Sequence, residues 1–391
     1  MGESQPATRR PEAEPREGAL AGQRRLIALD AIRGIAIVLM TVDHAAALAR
    51  FNVLAERYSG RFEPMAPFPW WVLGLVTNFA APLFWFASGV SLGLFERGMR
   101  GRADAGLSLT KIILVRAGLL LLLDAFVISP LWAPLLRLKV FYTFDMLSSL
   151  GLSLALLAGL RFLPRRALGV LGLVLIVGFE ALRAALPAGL REAGGFWLAV
   201  WLDHVGGSHP VVSFPVLGWL GLLLLGYAFA VAALRPTWRS PGRWVWIGGL
   251  LLTSWAVLRW SRGYGNLDVP IPETGFVEFL TMTKGPPSLT FLLFNLGLAA
   301  LAYAGVLLWE TRGGGRIWSA LGDLGRAALF VYLVHLVLYK VIAWGTHRAI
   351  HDYEVIRFVI TWTIGITVLV PLARWYRKLK MSYRKSVLKY L

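Results

Sequence analysis

Residues 24–44 read RRLIALDAIRGIAIVLMTVDH and set Asp30, Arg33, Asp43 and His44 in an apolar stretch long enough to cross a membrane. Ionisable groups inside such a span cost roughly 2.5–3.5 kcal/mol each on insertion scales, so they mark a functional interior. At 100° per residue, Asp30, Arg33 and His44 fall within about 60° of one another, with Asp43 about 100° from His44. The three that share a face extend over about 21 Å of helix axis. One end of that face offers a guanidinium beside a carboxylate. The other offers an imidazole, suited to general-base work or to transient carriage of an acyl group. Asp43, or a carboxylate from another helix, would orient the ring. The plain alternative for Arg33 is an ion pair with Asp30 at i,i+3.

Other chemistry-bearing residues are scattered. Asn78, Pro82, Ser88 and Gly89 interrupt the span TNFAAPLFWFASGVSLGLF; Pro82 frees a backbone carbonyl, and the small residues permit close helix packing. Asp145 stands at the start of a later span. Asp203, His204 and His209 occupy one connector, while Asp268, Glu273, Glu278 and Lys284 occupy the long connector 262–287 that ends in KGPPSLTF. Loops of that length are usually functional or disordered. In GDLGRAALFVYLVHLVLYK, Arg326 precedes His335 by about 13.5 Å of helix, which puts the imidazole in mid-membrane. His347 and His351 are four apart and could bind a metal weakly, but no carboxylate geometry supports it, so an interfacial loop is expected.

The elements that must hold these groups are membrane helices. The chain has 391 residues, 57% hydrophobic and only 16% charged. Repeated apolar runs give an all-α polytopic membrane protein with about ten transmembrane helices, near 26–49, 69–95, 112–135, 140–160, 165–187, 211–234, 243–262, 287–309, 318–345 and 355–376. Residues 1–23, rich in Pro, Glu and Arg, read as a disordered tail; 24–376 form one transmembrane domain; 377–391 form a basic tail. With the N- and C-termini cytoplasmic, the inner segments carry nearly twice as many basic residues as the outer ones. The net charge of +18 therefore belongs to membrane topology, and no nucleic-acid partner is expected. Zero cysteines exclude disulfides and thiolate chemistry. No P-loop, GxSxG, HExxH or strand-borne GxGxxG occurs.

Four segments in order, RLIALDAIRGIAIVLMTVDH, VTNFAAPLFWFASG, TKGPPSL and LGRAALFVYLVHL, resemble the heparan-α-glucosaminide N-acetyltransferase catalytic-domain family in its bacterial branch. They span residues 25–340. The resemblance implies an integral-membrane acyltransferase that takes an acetyl or similar acyl group from cytosolic acetyl-CoA to a sugar amine or hydroxyl on the opposite side. It assigns Asp30, Arg33, Asp43 and His44 to the first-helix motif, Lys284, Pro286, Pro287 and Ser288 to the PPSL motif, and Arg326 and His335 to the ninth helix. The chain departs from the family in places. Bacterial members often have His where Asn78 stands and an aromatic where Gly285 stands. The lysosomal enzyme has Asn at the position of His44, with its proposed catalytic His in the following loop, and 50–67 here contains no histidine.

These expectations combine into one reading. His44 and Asp43 are catalytic; Arg33, Asp30 and Arg326 bind the phosphates of acyl-CoA; Asn78, Lys284, Ser288, His335 and Asp145 contact a glycan or glycolipid acceptor. Asp203 is a weaker acceptor candidate. The setting is the plasma membrane, with lipid as a partner and no resident metal. The oligomeric state stays open, a homodimer among the options. The rival reading is a polytopic transporter that uses the intramembrane Asp, Arg and His for proton or substrate coupling, although no inverted repeat is visible. A non-catalytic assembly protein is a third class, and it would not require a polar first helix.

Overall fold

Long apolar segments without backbone partners outside themselves must close their hydrogen bonds internally, and here they do so as helices. The computed structural model describes residues 16–50, 57–58, 68–99, 105–132, 142–204, 210–267, 275–313, 315–350 and 352–383. The helices are α1 (Arg16–Arg50), α2 (Phe68–Thr77), α3 (Ala80–Met99), α4 (Ala105–Leu123), α5 (Ser129–Trp132), α6 (Met146–Leu160), α7 (Arg165–Ala185) and α8 (Ala188–Ala193). They continue as α9 (Gly195–Leu202), α10 (Val216–Phe229), α11 (Pro241–Ser261), α12 (Phe276–Leu280), α13 (Leu289–Thr311), α14 (Gly315–Arg326), α15 (Ala328–Ala349) and α16 (Glu354–Ser382). Two parallel strand pairs join the loops among the described residues: β1 (Arg57–Tyr58) with β4 (Thr283–Gly285), and β2 (Thr143–Phe144) with β3 (Val211–Val212).

The fold is all-α and built for a membrane. Among the described residues, seven stretches are long and apolar enough to cross one: Ile27–Arg50, Pro69–Met99, Ser108–Trp132, Arg165–Ala185, Leu289–Thr311, Ala328–Ala349 and Glu354–Ser382. The expected count of about ten is not met by that measure. α6 and α10, with 15 and 14 residues, fall short, and α11 is not among the seven. Apolar side chains such as Val170, Leu173, Val174, Trp246, Trp260 and Val359 stay exposed on the outer helices, as a lipid-facing rim requires.

α1 is the hub, packing on α2, α3, α13, α14, α15 and α16. Its inward side is Ala28, Ala31, Ile32, Ala36 and Ile37, all essentially without exposure. Small residues let the backbones touch. A Cβ on Gly34 would lie 2.0 Å from the carbonyl oxygen of Leu321, and one on Gly325 would lie 1.9 Å from that of Asp30. α14 therefore rides directly on the N-terminal half of α1.

Three expected helices are interrupted. The 69–95 segment breaks between α2 and α3 at Asn78, four residues before Pro82, whose ring clashes with the carbonyl four back. The 112–135 segment loosens into a π-helical turn, Asp124–Ile128. The 318–345 segment breaks at Ala327, between α14 and α15. α1 begins at Arg16, inside the segment expected to be a disordered tail, and α16 runs to Ser382, into the expected basic tail.

The long 262–288 connector is held by buried charges. Arg259, without exposure, donates to the carbonyls of Phe279, Glu278 and Thr281 and to Asn266 Oδ1 at 2.7–2.9 Å. Glu180 of α7 accepts from the amides of Gly265 at 2.8 Å and Leu289 at 2.7 Å. The loop that carries Lys284 is thereby fixed.

Candidate active site

The polar face of α1 meets a different set of partners at each level. At its N-terminal end, Asp30 Oδ2 accepts from Arg326 Nε at 2.7 Å, whereas Arg33 Nη1 stands 3.9 Å from Asp30 Oδ1. The inter-helix pair is thus the closer one, made possible by the Gly34–Gly325 contact. Asp323, one turn earlier on α14, accepts from Arg374 Nε at 2.9 Å and from Arg377 of α16. The start of the α1 span and the end of α16 therefore lie at one end of the bundle.

At that same end, Arg33, Arg116 of α4 and Lys380 of α16 are near enough to act on one another electrostatically. Three cations from three helices converge where the sequence suggested only Arg33 and Arg326. Neither Arg116 nor Lys380 stood out in the sequence: one is a single charge near a span end, the other part of a basic run.

Midway along the bundle, His44 Nδ1 lies 2.7 Å from His335 Nε2, with the two rings stacked at 5.0 Å between centroids. His335 Nδ1 lies 3.0 Å from the carbonyl oxygen of Val331, which can only accept. The tautomers follow. His335 donates from Nδ1 and accepts at Nε2, His44 donates from Nδ1, and the lone pair of His44 is left on Nε2. His335 has no exposure, while the side chain of His44 keeps 16%. The half-buried imidazole of His44 thus presents a basic nitrogen, and the fully buried one of His335 stands behind it. Tyr332 and Tyr339 meet the His335 ring edge-on, each at 5.7 Å, and Trp132 meets His44 in the same way at 5.0 Å. Gly365 of α16 admits the Tyr339 ring, since a Cβ there would lie 1.8 Å from it.

The sequence reading puts Asp43 or another carboxylate on the ring and His335 on the acceptor. In the structure His335 lies at Nδ1 of His44 and has no exposure, while Asp43 lies on the Nε2 side of the same ring. Asp43 Oδ2 stands 3.8 Å from His44 Nε2, on the side of the lone pair, and Thr77 donates to Asp43 Oδ1 at 3.3 Å. Asn78 follows Thr77 at the α2–α3 break, with its side-chain oxygen buried.

Toward the other end, Lys284 sits over the Phe214 ring at 5.9 Å, and its charge acts on His44. Ser288 is fully buried and caps α13, its Oγ accepting from the amide of Phe291 at 3.1 Å, so it serves the loop. Asp145 caps α6 and is half-buried. Its amide and that of Ser148 donate to Asp124 Oδ2 at 2.9 and 3.0 Å. Asp124 in the π-helical turn was not foreseen, because one Asp in a long apolar run carries no pattern. Both carboxylates act electrostatically on Tyr332, the ring that meets His335. Asp203 binds Arg183 and Arg191, each at 3.0 Å. Burial raises its carboxyl pKa, but Arg183 and Arg191 outweigh that and hold it below the ordinary value. Its bonds tie α7, α8 and α9. His209, Asp268, Glu273 and His351 lie outside the described residues. Among the described residues no group of three His, Asp or Glu could hold a metal ion.

A family model described as heparan-alpha-glucosaminide N-acetyltransferase, catalytic, matches residues 25–258. The match takes in α1 from Arg25 onward, the Asn78 break, the cation at 116 and Asp145, and ends before Lys284 and His335. Comparison with curated proteins gives no match.

Proposed function

The chain belongs to the heparan-alpha-glucosaminide N-acetyltransferase catalytic family, an acetyltransferase type of multi-pass membrane enzyme, and from that premise we propose that it carries an acetyl group from acetyl-CoA on the cytosolic side to an amine or hydroxyl of a glycan or glycolipid on the other. The membrane would be the plasma membrane, oriented with the Asp30 end inward.

Arg33, Arg116 and Lys380 would bind the phosphates of the donor, where guanidinium forks and an ammonium offer charge-assisted hydrogen bonds. Arg326 would hold Asp30 and complete the rim. From Arg33 to His44 is about 16 Å along α1, a span suited to an extended pantetheine arm that delivers the thioester to the imidazole. His44 Nε2 would accept the proton of the acceptor as its oxygen or nitrogen attacks the thioester carbonyl. The new imidazolium would be held by its Nδ1–H bond to neutral His335, a bond that strengthens as charge develops. When the tetrahedral intermediate collapses, the C–S bond breaks and the proton on Nε2 passes to the leaving thiolate, so the base returns to its starting tautomer. Lys284, Asn78, Asp43 and Asp145 would line the acceptor side.

The observation that supports this reading is the His44–His335 pair, which leaves a half-buried imidazole with its Nε2 lone pair unused by His335, about 16 Å along α1 from three convergent cations. Purified protein incubated with radiolabelled acetyl-CoA tests it. Release of free CoA with label in an extracted glycan or lipid is expected. Absence of both CoA binding and CoA release would instead favour the transporter.

A further inference from the structure

The α11–α13 pair is joined by close glycine contacts: a Cβ on Gly248 would lie 3.0 Å from the carbonyl oxygen of Gly297. Between that pair and α1, α3 and α10, by contrast, the packing opens into a cavity of about 330 Å³. Its lining includes Ile32 of α1, Ala87 of α3, Phe229 of α10, Trp244 of α11 and Ala300 of α13, and it is almost wholly apolar. The space opens to the surface on one side, and its apolar walls gain van der Waals contacts only from an apolar occupant. Exposed apolar concavities of this size mark binding sites, so an apolar occupant is indicated. The alanines at 87, 233, 299 and 300 leave a slot, and flanking aromatics at Trp238 and Trp244 suit the membrane interface.

The rim supplies the second half of the argument. The connector between α10 and α11 lines the cavity with Ala233, Leu234 and Trp238 and carries Arg235, which is exposed. Arg243, also exposed, lays its guanidinium over the Trp238 ring at 4.9 Å. Arg239 lies beside them, and Glu310 of α13 is the acidic group there, acting together with Arg239 on Tyr303. Leu29 also lines the cavity, next to Asp30, so the rim sits at the same basic end as Arg326.

We infer that this cavity holds one acyl chain of an anionic glycerophospholipid, with the lipid phosphate on Arg235 and Arg243. The hydrocarbon gains from burial against apolar walls. The phosphate gains from the two guanidinium groups, against which a zwitterionic headgroup would have to place its own cation. The site is separate from the polar face of α1 and does not depend on the acetyl-transfer reading.

The test uses the full chain in lipid nanodiscs doped with phosphatidylglycerol or phosphatidylcholine bearing a diazirine on one acyl chain, followed by irradiation and peptide mapping. Label should concentrate on residues 83–94 and 296–303, with phosphatidylglycerol about tenfold ahead of phosphatidylcholine. The R235Q/R243Q double variant, which touches only exposed side chains, should erase the headgroup preference and keep the position of the label. Ala300→Trp, which fills the slot, should remove the label from both peptides. Label spread evenly over the lipid-facing sides of α7 and α16, equal labelling by the two lipids, or a preference unchanged in R235Q/R243Q would overturn the proposal. The charge variant decides the matter even if Ala300→Trp does not fold.

Discussion

Replacing His335 separates a histidine that orients its neighbour from one that merely fills space. His335 lies wholly inside the bundle, accepts from His44 Nδ1 at 2.7 Å and donates to Val331 at 3.0 Å. In the proposed reaction that bond is made to a neutral ring in the ground state and to an imidazolium in the transition state. A hydrogen bond to a charged group contributes about 1.5–3 kcal/mol, against about 1 kcal/mol for a neutral one. The difference of about 0.5–2 kcal/mol, with tenfold in rate for about 1.4 kcal/mol, means that His335→Ala should lower kcat roughly 2- to 30-fold. The apparent Kd for acetyl-CoA should not move, because the donor phosphates bind at the Asp30 end. His335→Gln can return an acceptor oxygen to about the position of Nε2 and should recover much of kcat. His335→Asn is one methylene short and should not. The assay is release of free CoA at saturating donor, with melting temperature measured in parallel, since all three variants lose packing against Tyr332 and Tyr339. Equal rates for the Gln and Asn variants, or a loss seen only in KM, would refute the orienting role.

Three further outcomes follow from the geometry. Arg116→Gln should weaken acetyl-CoA binding about tenfold, a charge-assisted contact being worth about 1.5–3 kcal/mol, with little change in kcat; isothermal titration reads this directly. Gly325→Ala forces a methyl against the carbonyl of Asp30, 1.9 Å away, so α14 must lift from α1. The cost is about 1–3 kcal/mol, seen as a lowered melting temperature together with weaker donor binding as Arg326 leaves Asp30. Arg259→Met strands the carbonyls of Glu278, Phe279 and Thr281, at about 1–3 kcal/mol for each buried group left unpaired, and should expose the 262–288 connector to limited proteolysis.

The sequence made the polar face of α1 legible because helical spacing alone puts Asp30, Arg33 and His44 on one side. It could not say what faced them. Asp30 chose Arg326 over its helix neighbour Arg33 because Gly34 and Gly325 bring two backbones into contact, and such contacts depend on tertiary packing. His335 was found by its isolation in an apolar run, but its role needed the partner atom. Asp124 gave no signal: a lone acid in LLLLLDAFVI carries no periodicity, and only the π-helical turn brings its carboxylate onto the amides of Asp145 and Ser148. The break at Asn78 was implicit in Pro82, whereas the break at Ala327 has no proline or cap to announce it. Span lengths were overestimated where apolar connectors, as around 211–215, were read as helix.

The most direct test is His44→Ala measured for binding and turnover together. If His44 Nε2 is the base, CoA release should fall by about 10²- to 10⁴-fold while the Kd for acetyl-CoA stays within about twofold of the parent. Turnover that survives at the parent rate, with the same acceptor, would remove the histidine pair from the chemistry.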